Sequence, residues 1–249
     1  MMLISNHLSK YRETILGLTQ EALRSREEVL SSNLLMARSG EQEMFYAPHN
    51  EVVNPAAKVV IIGITPGWTQ MSIALEAARK GLQAGLTDET VCWQAKEAAG
   101  FAGTMRAHLI AMLDALELHH YLGIGTCADL FGECREWLNT TSLLRFPVFS
   151  GGRNYNGSHP DLPAHPFLDQ TALSLLQAEL SLMNRPLLIP LGRKVEQVLQ
   201  RLAADGLLDG ERCLWGFPHP SGANGHRLVQ FARHKEGMRK QIQALAGRG

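Results

Sequence analysis

His219, Ser221, Asn224, His226 and Arg227 stand in one run, His219-Pro220-Ser221-Gly222-Ala223-Asn224-Gly225-His226-Arg227, interleaved with a proline and small residues. Such a run carries two chemistries. An imidazole can give or take a proton near neutral pH. Small residues with exposed amides at a helix start can cradle an anion such as a phosphate. Pro218 and Pro220 flank His219 and constrain its backbone, which gives the ring a defined direction. Asn224 can instead cap the following helix, and a plain helix-entry loop with a solvated histidine would use the same residues. A second segment is Gly63-Ile64-Thr65-Pro66-Gly67-Trp68. Its glycines let backbone approach a ligand closely and Pro66 stiffens the turn. It lacks the Gly-Lys-Ser/Thr of a P-loop and the G-x-G-x-x-G spacing of a dinucleotide fingerprint. A third stretch, 146–166, follows Arg145 and holds Arg153, Asn154, Tyr155, Asn156 and His159, with Asp161 as its one carboxylate. Basic, amide and aromatic groups together suit phosphate and base contacts; a solvated surface loop would have the same composition.

Elements must hold these segments in place. Lys58–Ile64 is a short continuous run rich in β-branched residues, the pattern of a strand buried on both faces. Asn139–Leu144, Leu187–Leu191 and Arg212–Trp215 read as further strands. Helical spacing appears over 7–34, about 70–83, about 104–118, 168–183, 194–204 and about 226–245. Strands alternating with helices imply an α/β fold: three layers, α/β/α, on a central four-stranded, mostly parallel sheet, with N-terminal helices added. Residues 1–54 read as a helical extension packed on a core of 55–249, a single structural domain overall. In open parallel sheets, sites lie at the carboxyl ends of strands. The Gly63 and His219 segments both follow strands.

A parallel-sheet chain with G-x-x-P-G after its first strand and H-P-S after its last resembles the uracil-DNA glycosylase superfamily. Phe101-Ala102-Gly103 is similar to the F-x-G segment of the bacterial and archaeal branch, and Thr141-Ser142-Leu143-Leu144-Arg145 to its T-N-V-V-K strand. Pro166-Phe167-Leu168 and then Leu187–Gly192 resemble its helix and A-L-G strand end. The resemblance spans about residues 55–245 and implies a glycosylase of DNA. It implies that His219 and Thr65 take the catalytic positions, His219 hydrogen-bonding the anion developing on the departing base, that Phe101 stacks on the flipped base, and that Gly63, Ile64, Pro66, Gly67, Trp68, Asn139 and Ser142 surround that base. Arg145, Arg153, Asn154, Tyr155, Ser221, Gly222, Asn224, His226 and Arg227 become the DNA contacts. The branch's iron–sulfur cysteines are missing, so no cofactor and no metal is implied.

Departures from that pattern carry as much meaning. The first motif usually holds a carboxylate or amide that aligns water; here those positions are Thr65 and Ile64, neither of them a general base. Ser142 stands where an asparagine usually reads uracil, unless Asn139 replaces it. Gly67 replaces the tyrosine that excludes C5-substituted pyrimidines, which opens that wall. These changes favour a monofunctional glycosylase for a 5-substituted or hypermodified pyrimidine, serving repair or defence against foreign DNA. Alternatives are an ordinary uracil glycosylase with a shifted catalytic group such as Asp161, an inactive nucleic-acid-binding or protein-interaction domain, and an enzyme of free nucleosides or nucleotides.

Charge and cysteine content bound these readings. Lys and Arg number 24 and Asp and Glu 24, so the formal net charge is zero, unlike a protein that coats nucleic acid indiscriminately. Yet residues 225–249 hold Arg227, Arg233, Lys235, Arg239, Lys240 and Arg248 against Glu236 alone. That local excess suits a short basic groove for one flipped nucleotide and its phosphates. Cys92, Cys127, Cys134 and Cys213 form no C-x-x-C pair and read as reduced thiols. No signal peptide is visible, and no apolar run nears the roughly 20 residues a membrane span needs. A soluble, cytoplasmic protein with DNA as its partner and no membrane contact is the expectation.

Overall fold

The structure, a computed structural model, describes residues 1–31, 33–101 and 103–247. Ala102 of the F-x-G segment and Arg248 of the basic C-terminus lie outside the described residues. Strands are β1 (Met2–Leu3), β2 (Leu35–Ser39), β3 (Gln42–Phe45), β4 (Val52–Val53), β5 (Val59–Gly63), β6 (Leu138–Ser142), β7 (Val148–Ser150), β8 (Arg153–Asn154) and β9 (Leu187–Pro190). Helices are α1 (His7–Gly17), α2 (Arg26–Ser31), α3 (Trp68–Gln83), α4 (Asp88–Ala99), α5 (Gly103–Ala115), α6 (Leu118–Leu122), α7 (Pro166–Leu180), α8 (Arg193–Ala204) and α9 (Arg227–Ala246).

The chain divides into two compact units. The first comprises 1–55, 64–100 and 142–182; the second comprises 56–63, 101–141 and 183–249. The division does not follow the expected boundary at residue 54, because residues 1–54 share their unit with two later stretches. Nor is that segment purely helical: it supplies β1 and β4, which pair antiparallel, and the hairpin β2–β3.

The parallel sheet has the order β6-β5-β9, with β5 and β9 parallel. Val59, Val60, Ile61 and Ile62 are fully buried, as a strand covered on both faces requires. The expected fourth strand at 212–215 is reduced to a single parallel bridge between Leu188 and Cys213. In the second unit Val59, Ile61, Leu187 and Ile189 pack with Leu109 and Leu113 of α5 and with Phe231, Met238 and Ile242 of α9. Phe101 lies partly buried against that core.

The first unit holds elements that sequence pattern did not reveal. β2-β3-β7-β8 form a four-stranded sheet, antiparallel throughout. Its last turn is Ser150-Gly151-Gly152-Arg153, with both glycines at positive φ (53° and 74°). Only glycine adopts that pair of conformations readily, and it matches the twist of a two-residue hairpin. α4 was also unforeseen, although Thr87 caps it by accepting the Thr90 N–H at 3.3 Å and Asp88 and Glu89 fill its first turn.

Beneath this sheet lies a set of buried polar groups. The Glu51 carboxylate is fully buried and accepts hydrogen bonds from the Ser5 hydroxyl (2.8 Å), the His7 N–H (2.8 Å) and the Tyr46 hydroxyl. His49 is buried with neither ring nitrogen hydrogen-bonded. No helix among the described residues is long and apolar enough to cross a membrane.

His49 makes the first unit acid-sensitive. Burial, and then the charge of Lys96, hold its pKa at about 3 instead of 6.5. The unfolded chain takes up a proton near pH 6.5 that the folded chain refuses until about pH 3, so stability falls as pH drops through that window. In urea unfolding, wild type should lose about 2 kcal/mol more than His49→Leu between pH 7 and pH 5. An equal loss in both proteins contradicts this assignment.

Candidate functional site

The turn after β5 is held from three sides within the first unit. Leu144 donates its N–H to the Ile64 carbonyl at 2.9 Å. The Thr65 hydroxyl donates to the Phe146 carbonyl and accepts from the Val148 N–H, both at 3.0 Å. That hydroxyl is spent on backbone, so Thr65 holds the turn and supplies no base. Pro66 follows, and Gly67 donates its N–H to Gln70 Oε1 at 3.3 Å.

At Trp68 the structure departs from expectation. The Trp68 N–H, unpartnered within α3 because it opens the helix, is taken by Asn154 Oδ1 at 3.0 Å. Asn154 is thus a helix cap supplied from β8, across 86 positions of sequence. A Cβ on residue 67 would lie 3.3 Å from Asn154 Nδ2. The space that Gly67 opens therefore meets an amide, which corrects the expectation of an open wall. With Oδ1 committed to Trp68, the amide has its Nδ2 hydrogens to offer. The Trp68 indole lies under the Arg26 guanidinium, 5.7 Å from the ring centre.

Asn154 lines a cleft of about 460 Å³ with Arg153, Tyr155, Glu41, Ser150, Asn156 and His159. The cleft gathers most of the polar groups expected of the 146–166 stretch and adds Glu41, which sequence reading did not select. Tyr155 is only 5% exposed and gives its hydroxyl to the Pro160 carbonyl at 2.7 Å. Burial raises its pKa, so it is a neutral wall and not a stacking surface. Arg145 is corrected outright. It is 3% exposed, pairs with Glu179 at 3.2 Å and donates to the Leu175 carbonyl at 2.9 Å. A guanidinium sealed against a carboxylate does not reach phosphate. Ser142 is 9% exposed and presents only an edge.

The second unit carries His219. β9 ends before Gly192, which has φ of 85° and donates its N–H to the Phe217 carbonyl at 2.9 Å. A Cβ there would come within 3.3 Å of His219 Cβ, so glycine at 192 makes room for the histidine. His219 Nδ1 accepts the Ser221 N–H at 3.2 Å. A ring nitrogen that accepts is unprotonated, which places the single proton of the neutral ring on Nε2. Burial lowers the pKa of His219 and supports the same neutral form. His108 Nδ1 meets the Pro220 carbonyl at 3.0 Å and braces the segment.

Beyond it, the loop is largely self-satisfied. Asn224 Nδ2 donates to the His219 carbonyl (3.2 Å) and to Gln230 Oε1 (2.9 Å), and Arg227 Nη1 to the Ser221 carbonyl (3.1 Å). Arg227 spends one of its five donors in this way. Gly222 and His226 are exposed. Leu228 and Val229, unremarked in the sequence, are 69% and 63% exposed at the start of α9. Asn139 is fully buried and already partnered, which corrects its expected place against a base. Gly63 closes β5, half-buried.

The fold is defined by one comparison. The crystal structure of wild-type Pedobacter heparinus SMUG2 matches with a TM-score of 0.50 over 94% of this chain and 99% of that one, at 12% sequence identity. This likeness shows that the chain shares the α/β fold of that protein. In sequence, the chain is 44% identical over 223 residues to the uncharacterized protein YoxB of Bacillus subtilis (strain 168), covering 89% of this chain and 87% of that protein. The chain belongs to the YoxB family. No protein-family profile matches it.

Asn154 yields a direct test. Asn154→Ala should cost about 1 kcal/mol, the usual worth of a helix cap, and lower Tm by about 2–4 °C. Calorimetry showing no change would mean that Asn154 does not support α3.

Proposed function

We propose that the chain is a monofunctional DNA glycosylase that hydrolyses the N-glycosidic bond of a modified, 5-substituted or hypermodified pyrimidine flipped out of DNA. The reading is supported by the fold and, above all, by His219, whose Nδ1 accepts a backbone N–H and whose neutral ring therefore presents Nε2–H as a donor. Bond cleavage leaves negative charge on the departing base. A preorganised, half-buried donor aimed at that charge lowers the barrier without needing a proton transfer. Arg153 and His159 of the cleft, with Ser221, Gly222, His226 and Arg227, are the groups assigned to phosphate. Leu228 and Val229 are an apolar pair suited to the step that an extruded nucleotide leaves behind. Phe101 is assigned to stacking on the base. We place the protein in the cytoplasm, in keeping with its four free cysteines, in repair or defence against foreign DNA.

A second reading is favoured by Thr65. Its hydroxyl gives its proton to one backbone carbonyl and accepts one backbone N–H, so it supplies no base to activate water, and a domain that binds DNA without cleaving it would tolerate this.

Release of free base from oligonucleotides carrying uracil, hydroxymethyluracil or substituted cytosines decides between them. Release is expected from a substituted pyrimidine, with His219→Ala lowering the rate about 10²–10³-fold. Because burial lowers the pKa of His219, the rate should hold as pH falls through the ordinary imidazole value of 6.5 and drop only below it. DNA binding with no release from any of these substrates, unchanged by His219→Ala, selects the second reading and overturns the first.

A further inference from the structure

Asp114, His119 and Cys127 form a cluster that the proposed reaction does not use. Asp114 lies in the last turn of α5, His119 in the five-residue α6, and Cys127 begins a short 3-10 helix, Cys127–Phe131. One carboxylate oxygen, one imidazole nitrogen and the thiol sulfur lie within 4.8 Å of one another.

The carboxylate is fixed in place. Asp114 Oδ1 accepts the Cys127 N–H at 2.6 Å and Oδ2 the Thr126 hydroxyl at 2.7 Å. The Cys127 thiol also hydrogen-bonds to this carboxylate, which draws the two ligand types together. His119 Nδ1 stands 3.5 Å from Asp114 Oδ1, is shut off from solvent and has no hydrogen-bond partner. A polar atom left so is costly. Cys127 is fully buried beside it. An unpartnered imidazole nitrogen, an oriented carboxylate and a thiol in one place are the donor types of a borderline metal ion.

We propose that Asp114, His119 and Cys127 bind a transition-metal ion of the zinc class. Binding removes the Cys127 S–H proton to solvent as the sulfur–metal bond forms, while His119 coordinates through Nδ1 in its neutral form. Metal–ligand bonds of about 2.0–2.3 Å set tetrahedral ligand atoms about 3.6 Å apart, so atoms now within 4.8 Å of one another must draw in by at most slightly more than an ångström. Asp114 is 31% exposed, which admits a water as fourth ligand. The 3-10 helix carrying Cys127 leads by way of Arg135–Trp137 into the start of β6. Sites in open α/β sheets lie at the opposite, carboxyl ends of strands. The ion's role here is therefore structural, joining α5 and α6 to the approach to β6. The residue spacing matches no familiar metal motif, which is why sequence alone implied no metal.

The test uses the full chain, stripped with chelator and titrated with Zn2+ alone. One equivalent is expected to bind, raising Tm reversibly with EDTA. Co2+ in its place should give a thiolate-to-cobalt charge-transfer band. Cys127→Ser should abolish the band and His119→Gln the tight uptake, while Cys134→Ser changes neither. If Cys127→Ser fails to fold, the wild-type cobalt spectrum together with His119→Gln decides. Absence of zinc uptake, a cobalt spectrum without the thiolate band, or uptake undiminished by both substitutions overturns the proposal.

Discussion

The burial of β5 is the constraint on which the rest depends. It is the middle strand of the order β6-β5-β9, and Val59 to Ile62 have no exposed surface. A strand paired on both edges and covered on both faces carries no chemistry itself. Whatever the fold does must happen where chain leaves the sheet. Gly63 is the first residue of β5 with surface to offer, and the turn after it is clamped at once by Leu144, Phe146 and Val148. β9 repeats the pattern: Pro190 is buried, and at Gly192 a positive φ makes room for His219. Rigid exits from a buried sheet turn short loops into positioned groups.

That rigidity has a chemical consequence. Most polar atoms in these turns are spent on holding them: the Thr65 hydroxyl, the Asn154 Oδ1, the Asn224 amide and one arm of Arg227. Among the described residues, the cleft of the first unit keeps Arg153, His159 and Asn154 Nδ2 to offer, and the second unit, by itself, keeps His219 Nε2 and the remaining donors of Arg227. Within the cleft, Glu41 adds an acceptor to these donors. Such a set recognises a polar, oxygen-bearing group better than a methyl, because each donor left unpaired in a closed site costs more than a lost van der Waals contact.

Particular residues show what sequence can and cannot reveal here. β5 and β9 were legible because strands buried on both faces are continuous apolar runs, and α9 because its stripe extends over five turns. The histidine itself was legible, but its constraints, the room left by Gly192 and the Ser221 N–H on Nδ1, were not. The strands of β7 and β8 were not: they are three and two residues long inside a stretch whose composition reads as loop, although Gly151-Gly152 between Ser150 and Arg153 is a hairpin signal. α4 was lost because its apolar stripe is thin, Val91, Cys92 and Ala95 amid charge, although its Thr87 cap is visible. Commitments formed across the chain lay out of reach. The partners of Thr65 are 81 and 83 positions away and that of Arg145 is 34 away, and nothing local marks either residue as already engaged.

Under the proposed function, the engaged hydroxyl at Thr65 bears on which base could leave. Hydrolysis of a glycosidic bond draws its rate from activation of water and from stabilisation of the two fragments as they separate. With no base at Thr65, the first contribution shrinks, and the proposed reaction leans on His219 and on the leaving group's own capacity to hold charge. A pyrimidine with an electron-withdrawing substituent forms a more stable anion than uracil does, so it needs less help from the protein. Under the proposed function, the absence of a base at Thr65 and the polar cleft beside Gly67 would point the same way. In the proposed reaction, a site poor at activating water would be best matched to a modified base that departs readily and carries oxygen within reach of Asn154 and Arg153.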